Sequence, residues 1–114
     1  MKTTLVMGFI VDGFHCWPGA VEQSDERVHF LSTRHRHRFF FHLEVEVANE
    51  SSREIEFQVY ARDTQDFIEE TYGMPAEFGA MSCEEIALLL LLRDERLTSV
   101  RVMEDDEHGA RVSR

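Results

Sequence analysis

An alternation of residue types over residues 34–48, RHRHRFFFHLEVEVA, constrains the fold of this chain more than any other feature. The odd positions from 39 to 47 are all apolar, and most of the even positions carry polar or charged side chains. A period of two is typical of a β-strand that has one face on a core and the other in solvent. Residues 34–48 therefore predict a long, half-buried strand.

Two histidines begin the apolar face of this strand. His35 and His37 are two residues apart, so both imidazoles point to the same side and can bind one metal ion. The pair suits zinc when a third ligand comes from elsewhere in the chain. The alternative is that HRHR is only the polar start of a strand, because short metal-binding patterns often occur by chance.

Length and composition predict one folded domain over residues 1–114. Hydrophobic residues make up 43% of the chain and nine residues are phenylalanine, which argues against a disordered polar chain. The formal net charge of −10 at pH 7 disfavours non-specific binding of nucleic acid or of an anionic membrane. A local pocket could still hold a small anionic ligand.

Cysteine content and hydropathy predict a cytoplasmic protein. Cys16 and Cys83 are the only cysteines, too few for a disulfide framework. The apolar N-terminal run is broken by Gly8 and Asp12 and has no small-residue cleavage site, so we expect no signal peptide. The longest apolar run, residues 86–92, is far shorter than the roughly 20 residues that span a bilayer.

The rest of the chain divides into strands, helices and polar connections. Further strands are predicted over residues 3–14, 54–60, 99–104 and 109–114. The connections are residues 20–33, as a loop or extended arm, the turn-forming residues 49–52, and the loop 74–80. Asp63 is the expected N-cap of a first helix that runs to Tyr72 and is closed by Gly73.

A capping box begins the second predicted helix. Ser82 and Glu85 are three residues apart, as the reciprocal side-chain caps of a helix N-terminus require. The helix is apolar nearly all round over residues 86–92, which predicts a contact with another subunit. The order β-β-(β)-α-α-β-β predicts an α+β fold, with an antiparallel sheet and two helices on one face.

Two further polar residues stand where apolar ones are expected. Glu104 ends the apolar face of the strand that contains Val100 and Val102, where a carboxylate needs hydrogen-bond donors or a cation. His15 ends the first predicted strand. The alternatives are a glutamate that points into solvent at the strand end and a purely structural histidine.

These features occur in the order of a known family. The chain has HCWP at residues 15–18, HRH at 35–37, MSCEE at 81–85 and VRVME at 100–104. In this order, over nearly its whole length, it resembles the 6-pyruvoyl-tetrahydropterin synthase and 6-carboxy-tetrahydropterin synthase family. The resemblance implies the tunnelling fold (T-fold), in which ββααββ subunits join their sheets around a barrel. It also implies a homo-oligomer, with a trimer or hexamer expected.

The resemblance assigns roles to particular residues. His15, His35 and His37 match the family's zinc ligands, the last two standing in its HGHNY-like motif. Glu104 matches the glutamate of a VxVxET-like strand, which anchors a pterin. Ser82 and Glu84 match the PTxEN-like opening of the second helix, and we expect both to bind the ligand.

Two departures from the family bear on catalysis. Family enzymes place a catalytic cysteine four residues before the two histidines, and here that position is Leu31. Between Tyr72 and Ser82 the chain also lacks the family's Asp-His pair, and proton transfer next to a carbonyl needs a base and an acid.

Three functions therefore remain open. The first is a zinc lyase that acts on a substrate like dihydroneopterin triphosphate, in pterin or 7-deazaguanine (queuosine) synthesis. The second is a protein without catalysis that binds a pterin, a purine or a nucleotide as a sponge or sensor. The third is a structural ring subunit. The missing cysteine and Asp-His pair favour the second over the first.

Overall fold

Two long strands form the centre of the fold. In the computed structural model, which describes residues 1–48 and 53–114, β1 (Thr3–His15) and β2 (His35–Val47) are each 13 residues long. They pair antiparallel along their whole length, with Thr3 opposite Val47 and His15 opposite His35. The long strands predicted over residues 3–14 and 34–48 are thus confirmed. Their register brings two of the predicted metal ligands together at one end.

Three more strands complete a five-stranded sheet. Along the chain they are β3 (Ala76–Glu77), β4 (Leu97–Glu104) and β5 (His108–Ser113), and the order in the sheet is β3-β1-β2-β4-β5. The predicted antiparallel arrangement holds for β1, β2, β4 and β5. It is wrong for β3, a two-residue strand inside the predicted loop 74–80, because β3 pairs parallel with β1.

Both α-helices contribute to a core on one face of the sheet. The helices are α1 (Phe57–Tyr72) and α2 (Cys83–Arg93). The apolar face of β2 is fully buried, and it shares a cluster with Tyr60 and Ile68 of α1 and with Ile86 and Leu90 of α2. The described residues therefore form an α+β fold with a mixed sheet.

The start of α1 differs from the sequence prediction. Residues 54–60 do not form a strand, since α1 begins at Phe57 and the side chain of Glu56 caps it by accepting from the Gln58 amide at 2.6 Å. Asp63 lies within the helix and is not its N-cap. The predicted end is correct, because Gly73 caps α1 with a φ of 94°, a left-handed conformation that favours glycine.

The predicted arm over residues 20–33 is instead helical. Two 3₁₀ helices, Pro18–Glu22 and Glu26–Ser32, lie between β1 and β2 and cover most of this segment. The predicted turn at residues 49–52 lies outside the described residues.

The second helix is largely as predicted. The capping box is present, because Ser82 Oγ accepts from the Glu85 amide at 3.1 Å and Glu85 Oε1 accepts from the Ser82 amide at 3.3 Å. On the outer side of α2, Leu88 and Leu92 are exposed. Among the described helices, none has the length and apolar character needed to cross a membrane.

Candidate metal centre

Three histidine rings meet at the end of the central hairpin. His15 lies directly opposite His35 across β1 and β2, and His37 follows on the same face of β2. One ring nitrogen from each histidine lies within 4.8 Å of the other two, a cluster that could hold a metal ion. His15 is buried and the other two rings are half-buried, so the cluster stands between the core and solvent.

Backbone carbonyl groups fix two of the rings. Nδ1 of His15 lies 2.9 Å from the Met81 carbonyl oxygen, and Nδ1 of His35 lies 2.8 Å from that of Thr33. A carbonyl oxygen can only accept, so each Nδ1 carries the hydrogen and donates it. In the neutral ring Nε2 then has a free lone pair, which is the form that binds metals.

A carboxylate fixes the third ring in the same way. Nδ1 of His37 lies 2.7 Å from Oδ2 of Asp105. Nε2 of His37 is buried, and it makes no hydrogen bond within residues 1–48 and 53–114. A buried nitrogen without a hydrogen-bond partner is costly, and a bound cation would satisfy it. The donor set and this orphaned nitrogen therefore fit a metal ion held by His15, His35 and His37.

Glu104 lies between two of the histidines. Its Oε1 is 3.2 Å from Nε2 of His15, and its Oε2 is 3.2 Å from Nε2 of His37. The hydrogen bond with His15 lowers the pKa of Glu104 although burial opposes this, and the charges of the nearby histidines lower it further. Burial by itself would lower the pKa of His15, but its hydrogen bonds with Glu104 and Met81 outweigh burial and raise it.

The contact between Glu104 and the histidines requires positive charge. The carboxylate oxygens are acceptors, and so are the Nε2 atoms of neutral rings that donate through Nδ1. Acceptors that face each other at 3.2 Å repel unless a proton or a metal ion lies between them. Glu104 is therefore satisfied by a protonated His15, or by a cation bound at the histidine cluster.

A cavity of about 610 Å³ opens beside the cluster. Its lining includes five of the six residues predicted to form a site: His15, His35, Glu104, Ser82 and Glu84. The sixth, His37, contacts Glu104 beside the cavity. The other lining residues are Cys16, Trp17, Leu31, Ala80, Cys83, Glu85, His108 and Gly109. Carboxylates, imidazoles and an indole thus surround one space that is large enough for a small ring compound.

The two predicted ligand-binding residues on α2 have different surroundings. Ser82 Oγ accepts from the Glu85 amide, so its main contact is the helix cap. Glu84 is exposed at the start of α2 and lines the cavity. Either side chain can reach a ligand in the cavity, but only Glu84 does so without a competing helix-capping contact.

Sequence patterns missed two residues beside the histidines. Asp105 lay in a stretch expected to be only an acidic turn, and its contact with His37 joins residues that are 68 positions apart. Cys83 Sγ lies 3.8 Å from Oε1 of Glu104. Burial raises the pKa of the Cys83 thiol to about 12, and the charge of Glu104 adds to this effect, so the thiol is protonated at neutral pH.

Fold and site together define an α+β protein with a candidate three-histidine metal centre and an adjoining cavity. Neither a scan against models of known protein families nor a search of curated proteins gives a match for this chain.

Proposed function

We propose that this chain is a zinc-binding protein of the 6-pyruvoyl/6-carboxy-tetrahydropterin synthase type, and that it binds a pterin or purine-like ring in the cavity. The observation that carries the proposal is the convergence of three histidines whose Nδ1 atoms all face acceptors. This arrangement leaves three Nε2 lone pairs for one ion. Three neutral imidazoles suit zinc, which with three protein ligands keeps a fourth position for water or a ligand.

Glu104 is the proposed anchor of the ring. A pterin or guanine presents a ring N–H beside an exocyclic amine, and one carboxylate can accept both hydrogen bonds. Glu104 is half-buried and lines the cavity, so such bonds would form at reduced dielectric. When a metal uses the histidine Nε2 atoms, Glu104 loses His15 as a donor and keeps the long contact from Cys83 Sγ to Oε1. Lone pairs on both carboxylate oxygens then remain to accept from a ligand.

We propose binding, and no lyase activity, as the main function. Leu31 lines the cavity at the position of the family's cysteine. The protonated Cys83 thiol is a poor nucleophile at neutral pH, because the thiolate is the reactive form. Zinc, when bound, would supply Lewis-acid polarisation of a ligand oxygen. The chain's own residues would bind and orient the ring.

Lyase activity is the second candidate function, and one observation favours it. Cys16 is a half-buried cysteine that lines the same cavity as His15 and Leu31. A thiol there could take the place of the family's cysteine in proton transfer to a substrate like dihydroneopterin triphosphate. Conversion of that substrate by the zinc-loaded protein, and loss of this activity in Cys16→Ser, would favour the lyase over the binding protein.

The proposal includes a homo-oligomer with the tunnelling fold, as a trimer or hexamer. The outer edge of β1 pairs with β3 only at Gly13 and Phe14 within the described residues, and β5 forms the other edge of the sheet. Open edges offer backbone groups to a neighbouring strand, and closure of subunits into a barrel removes them. Leu88 and Leu92 of α2 and the exposed Phe30 add apolar surface to such contacts.

The test of the ligand proposal is calorimetric titration with neopterin, biopterin and guanine nucleotides. In Glu104→Gln an amide N–H replaces one acceptor oxygen and faces the donors of the ring. We expect binding to weaken by about 2–4 kcal/mol, the range for a broken buried charged hydrogen bond. Glu107→Gln, which changes an exposed glutamate in the same hairpin, is the matched control and should bind as the wild type does. Absence of binding by the wild type, or equal binding by Glu104→Gln, would refute the ligand assignment.

A further inference from the structure

The turn between β4 and β5 has an unfavourable backbone conformation. Asp105 and Asp106 have φ values of 53° and 57°, and the Glu107 amide donates to the Glu104 carbonyl at 2.9 Å. Asp105 and Asp106 are the two central residues of a turn with positive φ at both positions, the mirror-image (type I′) kind, for which Asn-Gly is the preferred sequence. With Glu107 they form the three-residue connection between Glu104 and its strand partner His108. Two aspartates therefore occupy positions at which a glycine or asparagine would be favoured on backbone grounds.

Asp105 makes specific contacts with β2. Its Oδ2 accepts from Nδ1 of His37 at 2.7 Å, and its Oδ1 accepts from the Arg38 amide at 2.9 Å. Its own amide donates to the Arg38 carbonyl at 2.7 Å. The side chain of Asp106 is exposed and makes no hydrogen bond or ion pair within the part of the chain that the structure describes. The two neighbours thus share a backbone conformation and differ in what their carboxylates contact.

We propose that Asp105 is a positioning residue for the histidine centre: it keeps the hydrogen of His37 on Nδ1 and so directs the Nε2 lone pair toward a metal. This inference rests on the proposed metal binding by His15, His35 and His37. A carboxylate behind a ligating histidine fixes the tautomer and the ring orientation and makes the ligand more basic. Unfavourable backbone conformations persist at positions where the surrounding contacts require them.

At His15 and His35, backbone groups and not a carboxylate keep the hydrogen on Nδ1. Backbone carbonyls of Met81 and Thr33 accept from His15 and His35, and no side-chain substitution removes a carbonyl. At His37 the acceptor is a side chain. Asp105 is therefore the one position among these three contacts at which a point mutation can reverse a histidine tautomer.

Asp105→Asn tests this role. Asparagine tolerates the left-handed backbone as well as aspartate does, and its Oδ1 can still accept from the Arg38 amide. The amide NH₂ that replaces Oδ2 can only donate, so it would favour His37 with its hydrogen on Nε2, a form that cannot bind the metal through that atom. Asp106→Asn makes the same change of charge in the same turn and is the matched control.

The first measurement is competitive titration of the metal-free protein with Zn²⁺. We expect Asp105→Asn to bind zinc about 10- to 100-fold more weakly, the usual effect of losing such a partner, while Asp106→Asn keeps wild-type affinity. The melting temperature of each variant should equal or exceed that of the wild type. Asp105→Gly, which also suits the turn, should lose the same affinity. Wild-type affinity in Asp105→Asn, or an equal loss in Asp106→Asn, would overturn the proposal.

The second measurement separates this inference from the proposed function. The ¹⁵N chemical shifts of the His37 ring in the metal-free protein report which nitrogen carries the hydrogen. We expect Nδ1–H in the wild type and Nε2–H in Asp105→Asn. Wild-type protein that binds no zinc would contradict the proposed metal site and leave the tautomer result intact. An unchanged tautomer in Asp105→Asn would refute the positioning role whether or not zinc binds.

Discussion

Nε2 of His37 lies 3.2 Å from Oε2 of Glu104, yet the two atoms do not form a hydrogen bond. The hydrogen of His37 is on Nδ1, where Asp105 accepts it, so Nε2 presents a lone pair to an ionised carboxylate. Two acceptors are stable at this distance only when positive charge lies close to both. A proton on Nε2 or a cation held by the three histidines would supply that charge, so this contact favours a cluster that can hold a metal ion.

The two cysteines should differ in reactivity. Burial and the charge of Glu104 raise the pKa of Cys83 to about 12, so almost none of its thiol is ionised at mildly alkaline pH. Cys16 is half-buried and opens onto the cavity. Since the thiolate is the nucleophile, we expect iodoacetamide to modify Cys16 well before Cys83. Peptide mapping by mass spectrometry measures this, with denatured protein as the control in which both react. Faster modification of Cys83 in the folded protein would show that it is not buried beside Glu104.

Gly109 should be essential for the hairpin that carries Glu104 and Asp105. A Cβ atom at this position would lie 2.0 Å from the Val102 carbonyl oxygen and 2.6 Å from Met103 Cα, so the backbone would have to move. We expect Gly109→Ala to lower the free energy of unfolding by about 2–3 kcal/mol, in the range for overpacking. Denaturant titration measures the effect.

Gly19→Ala is the control for this prediction. A Cβ atom there would meet only the indole of Trp17, at 3.2 Å, and an exposed side chain can turn away. We expect a change within about 0.5 kcal/mol, as at other surface positions. Equal stabilities of the two variants would show that β4 and β5 are not as close as described.

Oligomer formation is testable without a ligand. The exposed leucines of α2 and the open edges of the sheet predict association of the chain with itself. Light scattering at micromolar concentration should give the mass of three or six chains of 13.3 kDa. Leu92→Glu, which places a charge on the most exposed leucine of α2, should reduce that mass if this helix takes part. A stable wild-type monomer would contradict the proposed barrel.

Sequence patterns predicted the parts of the fold that depend on local order. The alternation along β2 and the capping box of Ser82 and Glu85 are visible in the sequence because neighbouring residues carry the signal. The start of α1 was not visible. Ile55, Phe57 and Val59 alternate like the residues of a strand. The buried face of the helix consists of Tyr60, Thr64 and Ile68, and because the middle residue is a polar threonine, the sequence shows no helical repeat of apolar residues there.

The sequence predicted the candidate metal-binding histidines, but it did not predict the contacts that hold them in place. The spacing of His35 and His37 placed them on one strand face, and family resemblance added His15. The role of Asp105 depends on the register between β4 and β2, which pairs Glu104 with Phe39 and brings the following turn to His37. The register between strands that are distant in the sequence is a tertiary property, so it cannot be predicted from a local sequence pattern.

Zinc binding by chelator-treated protein tests the central claim most directly. His37→Ala removes the ring whose buried Nε2 lacks a hydrogen bond within the described residues, and His42→Ala removes a histidine on the opposite face of the same strand. Each protein is loaded with Zn²⁺ and desalted, and its metal content is measured by mass spectrometry. We predict one zinc per chain in the wild type and in His42→Ala, and none in His37→Ala. A wild type without zinc, or a His37→Ala variant that retains it, would contradict the three-histidine centre.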